Sequence, residues 1–69
     1  MIIVTRPDLS PEGLDRIVQH VEAAGLRTHL IRGEQRTVIG CIGDDARLSE
    51  AGLRMLAVVV GAAGIAIIS

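Results

Sequence analysis

The chain contains no phenylalanine, tyrosine or tryptophan. Without an aromatic ring there is no platform on which an unpaired base could stack. Basic charge is not in excess either. Seven Lys+Arg against eight Asp+Glu give a formal net charge of −1, which offers no electrostatic footprint for a phosphate backbone. Nucleic acid is therefore not an expected partner. The single cysteine, Cys41, excludes an internal disulfide, and no Cys/His group has zinc-ligand spacing.

Long hydrophobic runs are also missing. The longest apolar stretch, Met55 to Ile68, has 14 residues, short of the roughly 17–25 needed to span a bilayer. Gly61 and Gly64 divide it into a helix end and a strand. Met1 to Val4 is too short for a signal peptide and has no basic flank. The expectation is a cytoplasmic protein without membrane contact.

Catalytic and cofactor motifs are equally scarce. There is no G-x-x-x-x-G-K-[ST] phosphate loop, and Gly33-Glu34-Gln35-Arg36 is too short to replace one. Ser10 and Ser49 read as helix-start residues, with no Ser–His–Asp arrangement around them. Asp44-Asp45 follow a glycine, where paired acids serve a turn and a helix cap rather than a metal. No catalytic residue, metal or cofactor is expected in this chain, which reads as a binding module.

What is present organises into one small domain over residues 1–69. A chain of this size buries only about 60% of the surface its unfolded form exposes, so it is marginal unless a partner adds to it. Ile2 to Thr5 reads as a buried strand. Ser10-Pro11 is an N-cap followed by proline at the first helical position. Leu14, Ile17, Val18, Val21 and Ala24 then form one helical stripe, closed by Gly25. Gly13 should weaken the first turn. Strands over residues 26–32 and 36–42, joined by Gly33-Glu34-Gln35, predict a hairpin. A second helix is predicted from about Ala46, capped by Asp45, with Leu48, Gly52, Met55, Leu56 and Val59 as its stripe. Gly61 to Gly64 break it, and residues 65–68 supply the last strand. The order βαββαβ, with right-handed crossovers, gives an α+β ferredoxin-like sandwich: a four-stranded antiparallel sheet with two helices on one face.

The third strand, Thr37-Val38-Ile39-Gly40-Cys41-Ile42, does not alternate apolar with polar residues. A strand with one wet face should. With the hairpin symmetric about a three-residue loop, Leu26, Leu30, Val38 and Ile42 face the helices. Arg27, His29, Ile31, Thr37, Ile39 and Cys41 then share the open face. Burying branched side chains there is worth about 1.5–3 kcal/mol each, a motive for self-association through that face. His29 beside Arg27 could bind a small polar ligand; the plainer reading is a histidine packed at a subunit contact. Cys41 has no neighbour in sequence to activate it and reads as a small hydrophobe. His20 lies off the helical stripe and is assigned no role.

"MIIV" followed by "RP", "GLRTHLIRGEQRTVIG" and "IGDD" together resemble the N-terminal ferredoxin-like (ACT-like) regulatory domain of 3-deoxy-D-arabino-heptulosonate 7-phosphate (DAHP) synthases, gapless from Met1 to about Arg47. That resemblance implies a parent transferase of the shikimate pathway whose metal-dependent (β/α)8 barrel condenses phosphoenolpyruvate with erythrose 4-phosphate. No such barrel lies within these residues. It implies feedback inhibition by tyrosine or phenylalanine bound between paired domains. His29 matches the effector-contacting histidine of regulated members. Ile31 departs from the serine those members carry there, which disfavours the tyrosine hydroxyl. From Ser49 the match fades. A structural interaction module without an effector is the alternative, and the synthase barrel is the other partner the resemblance implies.

Overall fold

A computed structural model describes residues 1–62 and 64–68, with the backbone alone at position 45. Ala63, inside the predicted glycine break, and the Asp45 side chain, the predicted cap, lie outside the described residues. The elements are β1 (Ile2–Thr5), α1 (Pro11–Ala23), β2 (Arg27–Arg32), β3 (Thr37–Ile42), a 3-10 turn (Asp45–Arg47), α2 (Glu50–Val59) and β4 (Ala66–Ile68). The strands form one sheet in the order β2-β3-β1-β4, every neighbouring pair antiparallel. This is the expected ferredoxin-like topology.

α1 starts as its sequence dictates. Ser10 has extended backbone, and its hydroxyl accepts from the Gly13 N–H at 3.1 Å, with Pro11 opening the helix. Leu14, Ile17 and Val21 are buried, and Val18 and Ala24 pack at the margin of the core. Gly25, at φ +91°, ends the helix in the left-handed region, which glycine enters without steric cost. Gly13 has a positive role that helix propensity does not reveal. A Cβ there would lie 3.2 Å from the Val60 carbonyl oxygen, 3.2 Å from Leu9 Cδ1 and 3.2 Å from Ser10 Oγ. Its bare backbone lets α1 approach the end of α2.

The second helix begins later than predicted. Residues 45–47 form a single 3-10 turn, where Asp44 Oδ1 accepts from the Ala46 N–H at 3.0 Å. Ser49, rather than Asp45, caps α2 by accepting from the Gly52 N–H at 3.1 Å. The buried side is Leu53 and Ala57, with Leu56 and Val60 beside it, while Met55 and Val59 of the predicted stripe are exposed. Residues 55–60 are all apolar, so periodicity had no polar residues with which to set the phase of this helix. Ile3, Ile17, Val21, Ile39 and Leu53 are the largest fully buried side chains, between sheet and helices.

The hairpin carries the main correction. Arg32 pairs with Thr37, so the loop has four residues, Gly33 to Arg36, and the Gly33 N–H donates to the Arg36 carbonyl at 3.0 Å. Leu30 pairs with Ile39 and Thr28 with Cys41, one residue away from the expected register. Because side chains alternate with period two, that single step turns all of β3 over.

Candidate functional site

The sheet face opposite the helices is organised in rows by its register. Ile31, Val38, Val4 and Ala66 form one row, and His29, Gly40, Ile2 and Ile68 the next, with Arg27 and Ile42 beyond them. Arg27, His29 and Ile31 thus share the open face as expected, all exposed. Thr37, Ile39 and Cys41 do not join them. They are 4%, 0% and 5% exposed and point into the core. Val38 and Ile42 take their places. Both faces of β3 are apolar because one closes the core and the other builds this surface.

Gly40 shapes the site. It lies between His29 on β2 and Ile2 on β1, with Val38 and Ile42 two residues away along its own strand. Lacking a side chain, it leaves bare backbone on the open face between His29 and Ile2, where a Cβ would meet only the His29 carbonyl oxygen at 3.6 Å and His29 Cβ at 3.8 Å. Ile2, Ile31, Ile42 and Ile68 are 43%, 54%, 62% and 53% exposed, so the surroundings present a continuous apolar band. The polar groups at its β2 end are His29, able to donate or accept, and Arg27, whose planar fork suits a carboxylate. The chemistry available is recognition of a small molecule with an apolar body and an anionic head. Gly40, Ile2, Val38 and Ile42 were not among the residues singled out from sequence. Counting the hairpin loop as four residues would have found three of them.

A concavity of about 270 Å³ lies on the helix side between α1 and β2, lined by Pro11, Leu14, Asp15, Val18, Thr28, Leu30 and Arg32. Glu22 accepts a hydrogen bond from the Thr28 hydroxyl at 3.0 Å near one end of it. Among the described residues no three His, Cys, Asp or Glu side chains gather where they could hold a metal ion. No helix among them is long and apolar enough to cross a membrane.

Comparison with known proteins assigns the family. The model for the DAHP synthase ferredoxin-like domain matches residues 1–65. The chain belongs to that family. A phospho-2-dehydro-3-deoxyheptonate aldolase of Thermotoga maritima is 42% identical over 45 residues, which are 65% of this chain and 13% of that protein. A crystal structure of phospho-2-dehydro-3-deoxyheptonate aldolase (DAHP synthase) from Thermotoga maritima superposes with a TM-score of 0.67 at 35% identity, over 75% of this chain and 15% of the other. These ferredoxin-like residues therefore correspond to about one seventh of that enzyme's length.

Proposed function

We propose that this domain is a regulatory module for DAHP synthase, binding an aromatic amino acid on the open sheet face between paired domains and so mediating feedback inhibition. The observation that supports the reading most is the grouping of Arg27, His29 and Ile31 beside the bare backbone of Gly40, on a face that the domain's own helices leave uncovered. Arg27 would hold the carboxylate with two hydrogen bonds. The ring would lie over Gly40 against Ile31 and Val38, and a second domain would close the site. An aliphatic residue at 31 favours phenylalanine. A buried tyrosine hydroxyl lacking a partner forfeits about 1–3 kcal/mol, or roughly tenfold to a hundredfold in affinity.

Titration calorimetry with phenylalanine and tyrosine, on the parent chain and on Ile31→Ser, tests this. Phenylalanine should bind the parent more tightly, and Ile31→Ser should recover tyrosine. A parent chain that prefers tyrosine would refute the role given to Ile31. The exposed band of Ile2, Ile31, Ile42 and Ile68 favours a second reading, a structural module whose open face packs on the synthase barrel without an effector. Failure of both amino acids to bind would select it.

A further inference from the structure

We infer that the free edge of β2 is a homodimerisation edge, pairing with β2 of a second copy about a two-fold axis at Leu30. This interface is separate from the open face and needs no effector. Hydrogen-bond parity is its starting point. The Cys41 N–H and carbonyl both bond to Met1, at 2.8 and 3.2 Å, so Gly40 and Ile42 direct theirs towards β2. Their partners His29 and Arg27 point back, as does Gly33, which bonds to Arg36. Thr28, Leu30 and Arg32 therefore direct their N–H and C=O groups outward along the edge.

The same three residues have their side chains in the groove beside α1. A strand added at this edge would satisfy the outward backbone groups and fill that groove together. Arg27 and Arg32 put charge at the two ends of this edge, but β2 is six residues long with no proline and no break in its register, whereas the opposite edge, β4, has three residues.

Self-complementarity decides the occupant. An antiparallel two-fold at Leu30 places Thr28 opposite the partner copy's residue 32, Leu30 opposite its own equivalent, and residue 32 opposite Thr28. Each of these pairs can exchange two hydrogen bonds. The two Leu30 side chains, each 42% exposed in one copy, would meet between the Leu14 and Val18 surfaces of both α1 helices. Arg32 of each copy would arrive beside Thr28 of the other, whose hydroxyl already donates to Glu22. The guanidinium would then lie between its own Asp15 and the other copy's Glu22, one cation between two carboxylates. Among the described residues Arg32 has no ion pair within one copy. Extended peptides could use the same edge, but only a second copy supplies this reciprocal charge.

Sedimentation over a concentration series, amide exchange and cysteine cross-linking test the pairing. Dimer formation should protect the amides of Thr28, Leu30 and Arg32, and protection should rise with concentration. Leu30→Cys should form a covalent dimer on oxidation, because facing residues about 5.5 Å apart lie within disulfide reach. Ile42→Cys, on the open face proposed to pair around the effector, should cross-link less readily than Leu30→Cys when no effector is present. Leu30→Pro removes an outward donor from each copy without touching the β2–β3 ladder and should weaken dimerisation roughly tenfold to a hundredfold. Should that variant misfold, Arg32→Glu gives an independent arm: it should weaken the dimer, and adding Glu22→Arg should restore it. A chain monomeric at every concentration, a cross-link at Ile42→Cys but not at Leu30→Cys, or a charge swap without rescue would each overturn the inference. Effector binding is scored separately by calorimetry, so loss of one reading leaves the other standing.

Discussion

Replacing Ile39 and Ile42 by alanine, one at a time, tests the register of the hairpin. The two residues share a strand and a chemistry, yet Ile39 is 0% and Ile42 62% exposed. Ile39 pairs with Ile3 on one side and Leu30 on the other, at the middle of the core face. Truncation there loses the transfer free energy and leaves a cavity, about 2–5 kcal/mol in all. Ile42 has water over most of its surface already, so its truncation should stay within about 0.5 kcal/mol. A domain of 69 residues has roughly 3–10 kcal/mol of total stability at about 0.05–0.15 kcal/mol per residue. Ile39→Ala should therefore lower the melting temperature by about 8–40 °C or unfold the chain outright, taking about 4–8 °C per kcal/mol.

Circular dichroism is the suitable probe, since the chain has no aromatic residue to fluoresce. Dilute samples separate folding from any association through the open face. The three-residue-loop register makes the opposite forecast, with Ile42 in the core and Ile39 outside. Equal losses at the two positions, or a larger loss at Ile42, would refute the four-residue loop.

Gly13→Ala should destabilise the domain although alanine is the better helix former by about 0.8–1 kcal/mol. The added Cβ meets three atoms at 3.2 Å, one of them the Val60 carbonyl, and overpacking of this kind costs about 1–3 kcal/mol; a stabilised variant in denaturant titration would count against the close approach. Ser49→Ala should cost about 0.5–2 kcal/mol by removing the cap of α2, read by urea unfolding and as lost helical signal, and no change would move the cap elsewhere. Gly40→Val should leave the melting temperature nearly unchanged, because the new Cβ lies in ordinary contact 3.6 Å from the His29 carbonyl oxygen. It should also reduce phenylalanine binding at least about tenfold by covering the bare backbone on which the ring would lie, and unchanged affinity would place the effector elsewhere.

Short-range physics was legible in the sequence by itself. Ser10-Pro11 and Gly25 bounded α1, its stripe named Leu14, Ile17 and Val21 as core, and the βαββαβ order gave the fold. "GLRTHLIRGEQRTVIG" and its companion motifs pointed to the family that the comparison assigns. Arg27, His29 and Ile31 were placed on the open face because the side of β2 follows from Leu26 and Leu30 alone.

Tertiary structure decided what local pattern left degenerate. β3 is apolar on both faces, so its sequence fits either orientation, and one residue more in the loop sent Ile39 and Cys41 into the core and Val38 and Ile42 out of it. α2 is apolar through residues 55–60, so its phase was set by Ser49 and by the contact of Leu53 and Ala57 with the core. Gly13 looked like a weak helix residue until the end of α2 was brought against it. Patterning specifies orientation only where polar and apolar residues differ; where they do not, the chain takes the register that packs.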